Sequence, residues 1–201
     1  NVACEDFFTS LFTLVPSLSH DASSRLHQKE SSGAVSRDEL RSLEERARFE
    51  ENENKRELER TRGLHVRYGD TVELLHVSTA RYFAVSHQNA DEERWCLKLE
   101  FLEQPNSDCE WVFAPKHKAK SEGDTITVHD QVVLMTKLNH MHVNISSLSV
   151  SGRANLKEVN ASTGAARDMY WQPVLFSAFN KDLQPEVDVC AGHIVQIYNK
   201  D

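Results

Sequence analysis

Apolar and polar positions along this chain fall into two textures. From residue 64 onward, apolar side chains come in short alternating runs, the period of strands with one buried face. These runs predict strands at 71–77, 81–85, 95–101, 111–114, 125–128, 131–135, 141–145, 171–176 and 194–198. The chain holds only seven glycines and five prolines, so Asn, Asp and Ser must form many of the intervening turns. Many short strands at such spacing predict a sandwich or barrel.

The first third reads differently. Phe8, Leu11, Phe12, Leu14 and Val15 predict a half-buried strand within residues 1–16, ended by Pro16. Residues 17–35 are Ser-rich and without periodicity, the pattern of a flexible loop. At Ser36 a capping box with Glu39 opens a long charged helix over 36–62. Leu40, Leu43, Ala47, Asn54 and Leu58 lie near one face of it, and Glu51 and Asn54 interrupt the apolar seam. Glu44–Arg48 and Glu51–Lys55 are favourable pairs, whereas Glu53–Glu57 and Arg56–Arg60 repel. At about 0.2–0.5 kcal/mol each, such terms nearly cancel. The helix therefore needs a neighbouring surface, either as a solvated insertion or as an arm contacting another domain or subunit.

The chain has 201 residues, 39% of them hydrophobic, enough for one domain whose core needs neither disulfide nor metal. Its 31 acidic against 23 basic residues give a net charge of -8, which argues against general nucleic-acid binding. No run approaches the ~18–20 apolar residues of a membrane span. Cys4, Cys96, Cys109 and Cys190 contain no CxxC pair, so zinc is unsupported and a reducing compartment fits. Two glycosylation triplets, at Asn144 and Asn160, matter only in a secreted chain. His140 and His142 alternate along a predicted strand and would share one face, but a third metal ligand has no place in the pattern. Nothing marks a catalytic nucleophile or a glycine-rich phosphate loop, so neither catalysis nor a cofactor is expected. Trp95, Trp111 and Trp171, with Phe101, Phe113 and Phe176, are expected in the core.

Three segments resemble one another: Tyr68-Gly69-Asp70-Thr71-Val72-Glu73-Leu74, Val128-His129-Asp130-Gln131-Val132-Val133-Leu134 and Ala191-Gly192-His193-Ile194-Val195-Gln196-Ile197. Each is a tight turn opening an alternating strand, and together they predict a pseudo-repeated β-barrel.

The run Gly69 to Tyr82 resembles the MIR-type β-trefoil motif of intracellular calcium-release channels. Trp111-Val112-Phe113-Ala114-Pro115-Lys116-His117-Lys118-Ala119-Lys120-Ser121-Glu122-Gly123-Asp124 looks like a segment shared by inositol trisphosphate and ryanodine receptors. Glu51-Asn52-Glu53-Asn54-Lys55-Arg56-Glu57-Leu58 resembles the end of the helical arm in the first trefoil of inositol trisphosphate receptors, and Asp6-Phe7-Phe8 through Pro16 the strand before that arm. The resemblance implies a mainly β fold, a β-trefoil partial at its N-terminus with a charged helical arm inserted at about 36–62. The trefoil would occupy 1–188, and 189–201 would open a following, ligand-binding trefoil.

By the same resemblance the chain is a suppressor domain. Such a domain would lower ligand affinity and couple binding to the pore through neighbouring domains and subunits of a homotetrameric channel. It would face the cytosol from an endoplasmic reticulum membrane protein, with inositol trisphosphate held outside these residues. Lys116, His117 and Lys118 match a contact loop of the family, although a Tyr is typical where His117 stands. The bare alternative for that loop is a solvated charge run. Other readings are a ryanodine receptor relative, favoured by the Pro115–Lys118 spacing; a luminal MIR module of a protein-mannosylating enzyme; and a lectin-type trefoil, which the weak aromatic-Gln signal disfavours.

Overall fold

The computed structural model describes residues 10–32, 36–128, 130–164, 170–176 and 187–199. Residues 1–9 of the first expected strand, and His129 of the second repeat, lie outside that set. Ten strands form one sheet: β1 (Leu11–Pro16), β2 (Thr71–His76), β3 (Arg81–Asn89), β4 (Leu97–Leu102), β5 (Trp111–Pro115), β6 (Val132–Thr136), β7 (His142–Val150), β8 (Arg153–Ser162), β9 (Gln172–Leu175) and β10 (Ile194–Tyr198). Strands β2, β3, β4, β8, β7, β6 and β5 close into a ring, because β2 pairs with both β3 and β5. From β2 the sheet continues through β1 and β10 to β9. Two helices, α1 (Asp21–Ser32) and α2 (Arg37–Thr61), lie between β1 and β2. The fold is a β-trefoil carrying a helical arm.

The repeat read from the sequence builds the centre. Val66 donates its N–H to Val189 O (2.8 Å), Val189 to Ile126 O (2.8 Å) and Ile126 to Val66 O (3.0 Å). The three form a closed backbone triangle, and all are buried. Just beyond each corner the chain turns in the same way. Asp70 accepts from Arg67 N–H, Asp130 from Thr127 N–H, and His193 Nδ1 from Cys190 N–H, at 2.8, 2.9 and 3.1 Å. Each turn then launches a strand whose first inward residue, Val72, Val132 or Val195, is buried. Gly69 has φ +91, a conformation that strains other residues, and a Cβ there would lie 2.6 Å from Glu122 Cγ and displace that side chain.

Around this centre Trp111 and Phe113 fill the barrel. Trp111 is fully buried, stacks on Phe83 at 5.0 Å and donates its indole N–H to Phe83 O at 2.8 Å. Trp171 is buried too and donates to Val143 O. Two members of the expected aromatic core behave otherwise: Trp95 is 79% exposed and Phe101 40%. Trp95 falls in a turn before β4 rather than within a strand, so its direction is not set by the strand alternation.

Other departures have local reasons. The expected strand at 125–128 is present only as bridges to Arg67 and Asp188, because its backbone serves the central triangle. The sequence pattern missed β8, whose run RANLKEVNAS is poor in β-branched residues; it is held by a long hairpin pairing with β7. The helix expected at 36–62 forms as one unbroken element, with Ser36 Oγ accepting from Glu39 N–H. The expected loop at 17–35 contains α1 instead. The strand read as opening a following trefoil, β10, pairs here with β1 and β9, and Val195 is fully buried.

Candidate functional site

The arm is the largest feature outside the barrel. On α2 the half-buried positions are Leu40, Leu43, Glu44, Ala47, Glu50, Asn54 and Glu57, which recur at three- or four-residue steps and so lie along one face. That face is apolar in its first half and polar in its second. The polar half explains α1. One Glu50 oxygen accepts from Ala22 N–H (2.8 Å) and Ser19 Oγ (3.1 Å); the other accepts from Ser23 N–H (3.0 Å) and Ser23 Oγ (2.9 Å). A carboxylate from α2 thus caps the N-terminus of α1, where free N–H groups and the helix dipole favour negative charge. Burial pushes the Glu50 carboxyl up, but these hydrogen bonds outweigh it and hold the group below its ordinary value. One turn on, Asn54 accepts from Ser19 N–H (3.3 Å) and donates to Ser19 O (2.7 Å). At the far end Lys29 meets Glu39 at 3.4 Å.

The arm's root is tied to the barrel by two carboxylates. Glu73, fully buried in β2, takes His20 Nε2 at 2.7 Å and Leu18 N–H at 3.3 Å. Glu110, just before β5, accepts from Ser17 Oγ at 2.8 Å and pairs with Lys137 at 3.2 Å. The returning end is also fixed: Thr61 is buried, and Gly63 N–H reaches Ala191 O. Sequence reasoning did not find Glu50, His20, Glu73 or Glu110. A signal for Glu50 existed, since it continues the 3–4 spacing of the arm's inner face.

Lys116, His117 and Lys118 leave the other end of β5. Lys116 N–H bonds to Gln131 O, and its ammonium lies 4.8 Å from the Tyr170 ring centre. His117 Nε2 meets Gln131 Oε1 at 2.7 Å, and Lys120 is 3.9 Å from Asp130. His117 and Lys118 are exposed. The basic loop therefore rests on the second repeat's turn. It stands across β5 from the arm root, roughly 20 Å away at ~3.3 Å per residue, and the structure does not bring the two together.

The remaining candidates are inert by position. His140 is exposed in a turn at φ +50, and β7 begins only at His142, so the two do not share a strand face. Among the described residues no group of three or more His, Cys, Asp or Glu is arranged to hold a metal. Cys96, Cys109 and Cys190 are buried free thiols, and burial pushes Cys109 up to about 11. Asn160 is fully buried, donates to Glu93 and accepts from Asn144, so neither triplet presents a free asparagine side chain.

The family described as inositol 1,4,5-trisphosphate/ryanodine receptor matches residues 1–181. The chain belongs to this receptor family. Similar to it is the inositol 1,4,5-trisphosphate receptor itr-1 of Caenorhabditis elegans, 26% identical over 174 residues. That match covers 82% of this chain but 6% of the nematode receptor, so the chain spans a small part of that relative's length. Among the described residues no helix is long and apolar enough to cross a membrane.

Proposed function

We propose that this chain is a non-catalytic regulatory module of an inositol trisphosphate-gated calcium-release channel. It lowers ligand affinity and passes the binding signal toward the pore. The observation that carries this reading is the doubly anchored arm: α1 and α2 are locked to each other through Glu50 and Asn54, and the pair is locked to the barrel through Glu73 and Glu110. A lever must be stiff at its root and exposed along its length, and most of the arm's surface is exposed. Lys116, His117 and Lys118 form a second contact, toward a neighbouring domain or subunit, at the opposite end of β5. In this reading the trefoil occupies 1–188, the strand from 189 that completes the sheet here links it to the ligand-binding core, and that core holds inositol trisphosphate outside this chain. The whole protein is a homotetramer of the endoplasmic reticulum membrane with this segment in the cytosol.

Regulation of this kind is a coupling free energy between closed and open states. Inositol trisphosphate affinity measured in the intact receptor and in a form lacking residues 1–188 tests it. Removal should raise affinity by about 5- to 150-fold, the range of ordinary allosteric coupling. Unchanged affinity would refute the suppressor role.

A further inference from the structure

The carboxylate of Glu73 lies in β2 with no exposure to solvent, and little in the fold balances its charge. Oε1 receives His20 Nε2 at 2.7 Å and the Leu18 N–H at 3.3 Å. Oε2 is buried and meets no hydrogen-bond donor among the described residues. Glu93, also buried, shows how a carboxylate is kept inside without a cation. It accepts from Ser147 N–H, Ser147 Oγ and Asn160 Nδ2 at 3.1, 3.2 and 3.3 Å. Burial pushes it up, but hydrogen bonds from Ser146, Asn160 and Ser147 outweigh that and hold it below its ordinary value. Glu73 lacks such a set of neutral donors, so a dehydrated negative charge at this point depends on a positive one.

His20 can supply that charge, and its side chain is 14% exposed, enough to trade a proton with solvent. The other groups around the pair do not share this property. From β3 and from the turn at Ser107–Cys109, the Tyr82 hydroxyl and the Cys109 thiol sense Glu73; burial chiefly, and the Glu73 charge with it, push both up, Cys109 to about 11. Both therefore stay neutral where a histidine titrates. From α2, Glu50 and Asn54 hold Ser19, and before β5 the Glu110–Lys137 pair holds Ser17. Carboxylates and ammonium groups ordinarily titrate far from the histidine range. His76 points to the opposite face of β2, where it meets Thr79. His87 lies 3.2 Å from Asp108 beside the turn, but its side chain is 88% exposed.

We propose that the arm's root is a pH-sensitive latch, shut by protonated His20 on Glu73 and released as the imidazole loses its proton. A neutral imidazole can still donate from Nε2, but it cannot balance a carboxylate cut off from water. Opening the root hydrates Glu73, so loss of the proton weakens the docked root and leaves the open one unaffected. Docking therefore weakens as pH rises. Helices α1 and α2 stay joined through Glu50 and Asn54, so the arm loosens from the barrel as a unit. The latch rests on the arm's anchorage and not on the suppressor reading.

Hydrogen exchange of the purified chain, corrected for the intrinsic rate at each pH, tests it without any ligand. The reporters are the amides of Ser17, which donates to Thr71 O, and of Leu18. Their protection should fall about tenfold between about pH 6 and about pH 8, within the tenfold-per-unit ceiling that one proton sets. Val66, Ile126 and Val189 should keep theirs. His20→Gln keeps a donor without a charge, and Glu73→Gln removes the charge to be balanced. Both should give flat profiles, low for the first and high for the second. His87→Gln should leave the slope of the unaltered chain in place. A flat profile in the unaltered chain would overturn the proposal, as would parallel loss at Val66, Ile126 and Val189. So would a slope that survives His20→Gln or Glu73→Gln, or one that His87→Gln removes.

Discussion

Substituting Glu50 by alanine should melt α1 while leaving the barrel intact. The carboxylate receives two backbone N–H groups and two hydroxyls, from Ser19, Ala22 and Ser23. A helix N-cap interaction contributes about 1 kcal/mol, and hydrogen bonds to a charged acceptor about 1.5–3 kcal/mol each when well buried. Glu50 is only half-buried, so water would replace part of what is lost. A net loss of about 2 kcal/mol for the docked arm is therefore reasonable, equivalent to a ~30-fold rise in local opening. Twelve residues cannot sustain a helix alone, so the loss should appear as fraying of α1 rather than as global unfolding. Hydrogen exchange reads it directly. Protection over residues 24–32 should fall about 30-fold, while the amides of Val66, Ile126 and Val189 exchange as before. Unchanged protection over 24–32 would refute the view that Glu50 holds α1. Equal loss across the central amides would refute the view that arm and barrel unfold separately.

Other consequences can be measured with equal directness. The folded Glu50 carboxyl titrates below 4.5, so its contribution to arm docking is complete above that value and is lost as pH falls through the lower folded one; α1 exchange should therefore accelerate in acid before the barrel melts, and acceleration on the alkaline side instead would contradict the sign. His20→Ala leaves the buried Glu73 carboxylate with Leu18 N–H as its remaining partner in the arm root, and should lower unfolding free energy by ~3 kcal/mol in urea titration. Gly69→Ala forces a side chain into φ +91 against Glu122 and should destabilise by about 1–2 kcal/mol, seen as a lower melting temperature. Trp111→Ala removes a fully buried ring and its hydrogen bond to Phe83, costing about 4 kcal/mol, a large share of an ordinary domain's stability, seen as a lower urea midpoint.

What the sequence revealed depended on how far apart the responsible residues lie. The pseudo-repeated barrel was legible because each repeat states its own turn and its own alternation: Val72, Val132 and Val195 are inward for a reason contained in the seven residues around them, whereas the trefoil came from the family resemblance. The start of α2 was legible for the same reason, with Ser36 and Glu39 three residues apart. Helix α1 was not, because its cap is Glu50, 27 residues beyond Ser23, and a Ser-rich segment without its own capping box reads as loop. Asn54 looked like a flaw in an apolar seam, when its task is to grip the backbone of Ser19. The exposure of Trp95 was equally hidden, since hydrophobicity gives a residue's preference but not the direction in which a turn points it. The basic loop was found as a cluster, while its support on Gln131 and Tyr170 required the fold.

The closed backbone triangle of Val66, Ile126 and Val189 has a consequence for synthesis. Successive corners are about sixty residues apart and the first and last about twice that, so every side of the triangle is a long-range contact. As the chain leaves the ribosome, the first two corners can meet through the bond from Ile126 to Val66. The third cannot arrive until residue 189 has cleared the exit tunnel, and β10 follows it. Until then the inner edge of β1, which will pair with β10, stays unsatisfied and open to other strands. The central triangle must therefore wait for Val189 before it can close. A stalled or prematurely ended chain would expose that edge, and quality control would meet it as an aggregation-prone intermediate.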